Sequence, residues 1–115
     1  MNVKDIQSIL RSDKNLTKED LSGLDLHGID FSGANLQYAN LAGANLQGCN
    51  LTRANLYGAD LSCANLTHTR LAHANLDHTI LRDARLIGVD FGTPAWLHEG
   101  DLIKTKAQQV ATSAG

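Results

Sequence analysis

The run Ala34-Asn35-Leu36-Gln37-Tyr38-Ala39-Asn40-Leu41-Ala42-Gly43-Ala44-Asn45-Leu46 decides the fold, because it says the same thing every five residues. Followed outward, the register holds Leu or Phe at 21, 26, 31, 36, 41, 46, 51, 56, 61, 66, 71, 76, 81, 86 and 91. Two residues before each centre stands a small or apolar residue, from Leu24 and Ile29 through Ala34, Cys49 and Thr69 to Ala84 and Val89. Asn or Asp immediately precedes most centres. Fifteen centres in register make internal repetition the first fact to explain.

A period of five fits neither the 3.6-residue rhythm of a helix nor the two-residue rhythm of a strand. Within one unit, three residues alternate as a strand does: inward Ala, outward Asn, inward Leu. The next two are mostly polar, and a turn must absorb them. Glycine recurs two places after the centre, at Gly23, Gly28, Gly33, Gly43, Gly48, Gly58 and Gly88. That is the third position of a type II turn, which needs a positive φ. Each pentad is then one straight edge and one corner, and a chain of like corners coils around its leucines. Between residues 59 and 87 the corners carry Cys63, His68, His73, His78 and Asp83 instead. Glycine preference predicts a change of turn geometry there, away from type II.

The units Ala34-Asn35-Leu36, Ala44-Asn45-Leu46, Ala54-Asn55-Leu56 and Ala59-Asp60-Leu61 resemble the A-(D/N)-L-x-x signature of pentapeptide repeat proteins. The resemblance implies an all-β solenoid, a right-handed quadrilateral β-helix with four pentads per coil. Periodicity alone does not separate a square cross-section from a triangular one. On the four-sided reading, 21–92 makes about four coils, stacked ~4.8 Å apart. Counting four pentads per turn puts Phe31, Leu51, Leu71 and Phe91 in one core column.

The ends read differently. Residues 1–20 hold a short amphipathic helix over 2–11, with Val3, Ile6, Ile9 and Leu10 on one face and a capping-box pattern at Asn2 and Asp5. Its expected role is to cover the first coil, whose edges would otherwise stay open. Leu16 fits a degenerate pentad centre. In 93–115, Thr93-Pro94 is a helix-start signal. Trp96, Leu97, Leu102 and Ile103 follow, and 104–115 has no pattern. A C-terminal capping helix and tail are expected there. Ile80 and Ile87 sit where polar residues belong, so this end forms either a cap or a dimer contact through Ile80, Ile87, Trp96 and Leu97.

The formal charge of −2 on 115 residues argues for one domain with neither a basic footprint for nucleic acid nor a strongly acidic surface. No apolar run reaches membrane-spanning length, and the N-terminal residues carry no hydrophobic region of the signal-peptide kind. A cytoplasmic protein without a membrane partner is expected. Cys49 takes an inward place and Cys63 a corner on the opposite side, so no disulfide between them is expected. The corner histidines His68, His73 and His78 occupy successive sides and point about 90° apart, which does not converge on a metal ion.

Neither a phosphate-binding loop nor a nucleophile–base pair is present, and a filled core leaves no pocket. No enzyme, cofactor or metal is expected. Binding is the remaining class. On the side through Leu36, Leu56 and Leu76, with Asn35, Asn55 and Asn75 as its outward column, Tyr38 and His78 flank Gly58 in the corner column beside Tyr57. Tyr38, Tyr57 and His78 are the candidate protein-contact patch, since Tyr anchors many interfaces. The expectation is a noncatalytic scaffold, monomeric or a weak homodimer through its C-terminal end, with a protein partner of unknown identity. The alternative comes from the resemblance: some pentapeptide repeat proteins imitate duplex DNA, bind DNA gyrase and confer quinolone resistance. Six acids against four arginines in 21–91, and a short rod, weigh against that field.

Overall fold

The computed structural model describes residues 1–92. The expected C-terminal helix and tail, with Trp96 and Leu97, lie outside the described residues.

Helix α1 spans Val3–Leu10. Asn2 Oδ1 accepts from the Asp5 amide at 2.9 Å and Asp5 Oδ2 accepts from the Asn2 amide at 3.2 Å, so each satisfies a donor the helix start leaves open. Ile6 is buried, and Val3, Ile9 and Leu10 pack half-buried against the same core. The helix stops where the amides of Ser12 and Lys14 both turn back to Ile9 O, at 3.0 and 2.9 Å.

Everything after that is coil upon coil. Twelve parallel bridges join residue i to residue i+20, from Asn15↔Asn35 to Arg70↔Asp90. A register of 20 over units of five puts four units on each coil, and this makes the cross-section four-sided. Each straight edge is only about three residues long, so pairing takes the form of single-residue bridges rather than strands. Within a bridge the amides point both ways along the stack: Leu51 N donates up to Arg70 O at 2.8 Å, while Asn50 N donates down to Ile29 O at 3.1 Å. The ladder reaches back to Asn15, and Leu16 is a fully buried centre. The coil therefore begins before residue 21.

Every centre from Leu16 to Phe91 is buried except Leu76, which is half-buried. Phe31, Leu51, Leu71 and Phe91 are buried and follow one another at the 20-residue register. Each buried leucine contributes roughly 1.5–3 kcal/mol, and stability accumulates from coil to neighbouring coil.

The expected change of turn geometry does not occur. Cys63, His68, His73, His78 and Asp83 all adopt φ between 58 and 61°, as Gly corners adopt positive φ. The i+3 amide returns to the centre carbonyl in each, for example Ala64 N to Leu61 O at 3.1 Å and Thr69 N to Leu66 O at 2.9 Å. A left-handed residue with a Cβ costs roughly 1–2 kcal/mol. Against it stand the turn bond and, at Cys63 and His68, an amide bond to Arg82 O and Ile87 O of the next coil. Two bonds at about 0.5–1.5 kcal/mol each, fixed by coils on either side, outweigh the side-chain preference. The Cβ leaves a small trace: side-chain-bearing corners lie at φ 57–62°, glycine corners at 67–76°.

The outward Asn and Asp are more than a solvated column. Asn35, Asn40, Asn45, Asn50, Asn55 and Asn65 each accept, through Oδ1, the amide two residues on, at 3.0–3.1 Å. These Asx turns hold the first residue of each corner. Arg70, Ile80 and Arg85 have no acceptor to offer there. Inward polar residues are also tied. Thr69 Oγ1 donates to Leu46 O and Thr79 Oγ1 to Leu56 O, both at 2.7 Å, and Cys49 Sγ donates to Leu26 O at 2.9 Å. Each of those carbonyls already accepts its turn amide, so the side chains use the second lone pair.

Candidate functional site

The 20-residue register brings Tyr38, Tyr57 and His78 together on one edge of the prism. Tyr38 and His78 are corner residues of the same column with Gly58 between them. Tyr57 precedes that glycine, and its carbonyl accepts the Tyr38 amide at 2.9 Å. The Tyr38 and Tyr57 rings meet edge to face, centroids 5.6 Å apart and planes at 80°. Tyr57 and His78 repeat the arrangement at 5.1 Å and 65°. Such pairs favour offset or perpendicular packing because the ring edge is positive and the face negative.

Gly58 makes this packing possible. A Cβ there would stand 2.5 Å from Tyr38 Cε1, so the Tyr38 ring lies across the glycine itself. His68 covers Gly88 in the same way, a Cβ there meeting its Nδ1 and Cε1. Tyr38 nevertheless keeps 53% of its surface exposed, while Tyr57 is half-buried between its neighbours.

One carboxylate belongs to this edge. Asp77 stands one coil beyond Tyr57 in the same column, and its carbonyl accepts the Gly58 amide at 3.0 Å. Its amide bonds to Asn75 Oδ1, but its exposed carboxylate has no partner among the described residues. Asp60, on the next side, is occupied: Oδ1 accepts from the Ser62 amide and hydroxyl at 2.9 and 2.6 Å. Sequence reasoning missed Asp77, whose place beside Tyr57 follows from the register alone.

The remaining residues are separate. Ile80 and Ile87 on the last coil are exposed by 39% and 54%. His68, His73 and His78 occupy successive corners, and among the described residues no three His, Cys, Asp or Glu side chains come together around a metal-sized point. Cys49 is buried and Cys63 exposed, both as free thiols. Burial pushes the Cys49 thiol up to about 11. At the other end, Asp20, Asp25 and Asp30 carry carboxyls held below the ordinary value of 3.8. Side-chain hydrogen bonds from Ser22, His27 and Ser32 respectively are the largest cause.

Four five-residue sides to a coil, leucines within and Asx-turned corners without, define a solenoid of pentapeptide units. The chain belongs to the pentapeptide repeat family: the model named Pentapeptide repeats matches in eight copies over residues 15–53, 29–67 and 59–92. Among solved structures, a pentapeptide repeat protein of the Arabidopsis thaliana thylakoid lumen is 36% identical, with TM-score 0.69 over 76% of this chain and 60% of that one. HetL of Nostoc sp. strain PCC 7120, named as involved in heterocyst differentiation regulation, is 33% identical, with TM-score 0.40 over 65% of this chain and 39% of its own. QnrB1, a plasmid-mediated fluoroquinolone resistance protein, is 22% identical, with TM-score 0.38 over 65% and 39%. The chain thus spans between about two fifths and three fifths of these structures' lengths. No curated protein matches the sequence.

Proposed function

We propose that the protein is a noncatalytic scaffold, a right-handed prism of about four coils that binds another protein through the Tyr38–Tyr57–His78 edge. The prism is closed at one end by α1, and its last coil meets either the chain's own C-terminal segment or, weakly, a second copy. The observation that carries the reading is the ring ladder at the prism's surface: two edge-to-face contacts at 5.6 and 5.1 Å fix three rings side by side on one edge. Rigid, amphipathic rings order at low entropic cost when a partner arrives. The net charge of −2 weighs against nucleic acid as the partner. A cytoplasmic site of action is part of the same proposal; among the described residues no helix is long and apolar enough to cross a membrane.

Affinity capture from a cell extract, quantified for wild type, Tyr38→Ala and Tyr57→Ala, tests the reading. Species lost in both variants, with unchanged melting of the bait, support it; identical yields from all three baits overturn it. The alternative, imitation of duplex DNA on gyrase, has three carboxylates of the first coil, Asp20, Asp25 and Asp30, against mostly neutral Asn in the coils that follow. A supercoiling assay separates the two: gyrase inhibition at low micromolar protein would reverse the ranking.

A further inference from the structure

The aromatic edge has an electrostatic end, and it selects a partner chemistry. Along the corner column the order is Lys18, Tyr38, Gly58, His78, and along the column beside it Thr17, Gln37, Tyr57, Asp77. The one lysine is a coil before Tyr38, whereas the unpaired carboxylate of Asp77 lies a coil after Tyr57 and next to His78 in the chain. Elsewhere on the solenoid the outward carboxylates are commonly used: Asp20, Asp25, Asp30, Asp60 and Asp90 each accept the amide two residues on. Asp77 instead follows the centre Leu76, at the first corner position, where no amide needs its carboxylate. A carboxylate free of structural duty, beside perpendicular ring faces, matches a planar cation.

We propose that this edge receives an arginine side chain of a protein partner, its guanidinium laid on the Tyr57 ring, with Tyr38 beside it, and its N–H donors turned to Asp77. Arginine fits better than lysine because the guanidinium is flat, stacks on aromatic faces and offers two parallel donors to one carboxylate. The inference rests on the reading of this edge as a protein-contact surface and narrows it to a basic segment.

The test uses the full chain, uniformly labelled, titrated at low salt and pH 8 with three blocked pentapeptides: Gly-Arg-Gly-Arg-Gly and its lysine and glutamate counterparts. Aromatic ring resonances of Tyr38, Tyr57 and His78 are the readout. The arginine peptide should give saturable shifts on these rings, the lysine peptide weaker ones and the glutamate peptide none. Asp77→Asn, which keeps the shape of the side chain, should weaken arginine binding about two- to fivefold, the scale of an exposed ion pair. Melting should not change. Equal shifts with lysine, shifts with glutamate, or indifference to Asp77→Asn would each overturn the assignment. Failure here with Tyr-dependent capture intact removes only the arginine; peptide binding with capture indifferent to both Tyr variants removes the scaffold reading instead.

Discussion

The middle coils and the last coil are written in the same five-letter code but built to different standards. Between residues 35 and 69 every centre is fully buried, and each Asn or Asp accepts its Asx amide. From residue 70 onward, Arg70, Ile80 and Arg85 interrupt the Asx series, Leu76 is half-buried, and Ile80 and Ile87 face outward. The backbone path is nevertheless the same, with His73, His78 and Asp83 at φ 58–61°. Backbone geometry in this fold is therefore imposed by the neighbouring coil, while side-chain satisfaction is local and degrades first at the end.

The largest test of that contrast is truncation of a centre. Leu56→Ala should cost about 2–5 kcal/mol, since the narrow column has no spare side chain to fill the void. Leu76→Ala, already half-exposed, should cost about 1 kcal/mol. Chemical denaturation of the two variants measures the gap, and equal losses would mean that the last coil is packed as tightly as the middle.

Corner substitutions come next. Gly43→Ala meets no atom within 4 Å but must hold φ +69°, so it should cost about 1–2 kcal/mol. Gly58→Ala adds collision with the Tyr38 ring and should cost more, by about 1–3 kcal/mol of overpacking. In a Tyr38→Ala background that excess should vanish; an unchanged excess in thermal melts would show that the ring is not the obstacle.

Repairing the Asx series is a smaller effect. Ile80→Asn should raise stability by up to about 1 kcal/mol, and Asn55→Ala should lower it by about 0.5–1.5 kcal/mol. A neutral or destabilising Ile80→Asn would mean that Ile80 is covered by something worth more than the turn bond.

The smallest effect is acidic. Asp20, Asp25 and Asp30 have folded values below 3.8, so their contribution is present above that pH and fades as the pH falls through the lower folded values. Carboxyl carbon titration by NMR should place all three midpoints under 3.8; a midpoint at or above it would contradict the hydrogen bonds from Ser22, His27 and Ser32.

Much of this was legible in the residues. The leucine column and the strand–corner alternation follow from a strict period, and the helix start at Asn2 from its box. The grouping of Tyr38, Tyr57 and His78 needed the four-sided count, which the pentad alone cannot supply and the resemblance did. The corners of Cys63 and the histidines misled because glycine preference is a single-residue property, whereas at Cys63 and His68 the corner amide is held by a residue 19 positions on. The bonds of Thr69, Thr79 and Cys49 were hidden for a like reason: their acceptors lie 23 positions back. The hydrophobic pattern shows only that Asn faces outward, because its local acceptor role leaves no mark on that pattern.

The twenty-residue register gives the molecule two independent clocks. Its interior repeats every five residues, so excising one unit, such as 39–43, leaves leucine stacked on leucine. The exterior repeats only once per circuit, and the same excision would bring Cys63, instead of Gly58, over Tyr38. Insertions and deletions in whole pentads can thus preserve the fold while dealing a new set of surface neighbours, and only a full circuit restores the old ones.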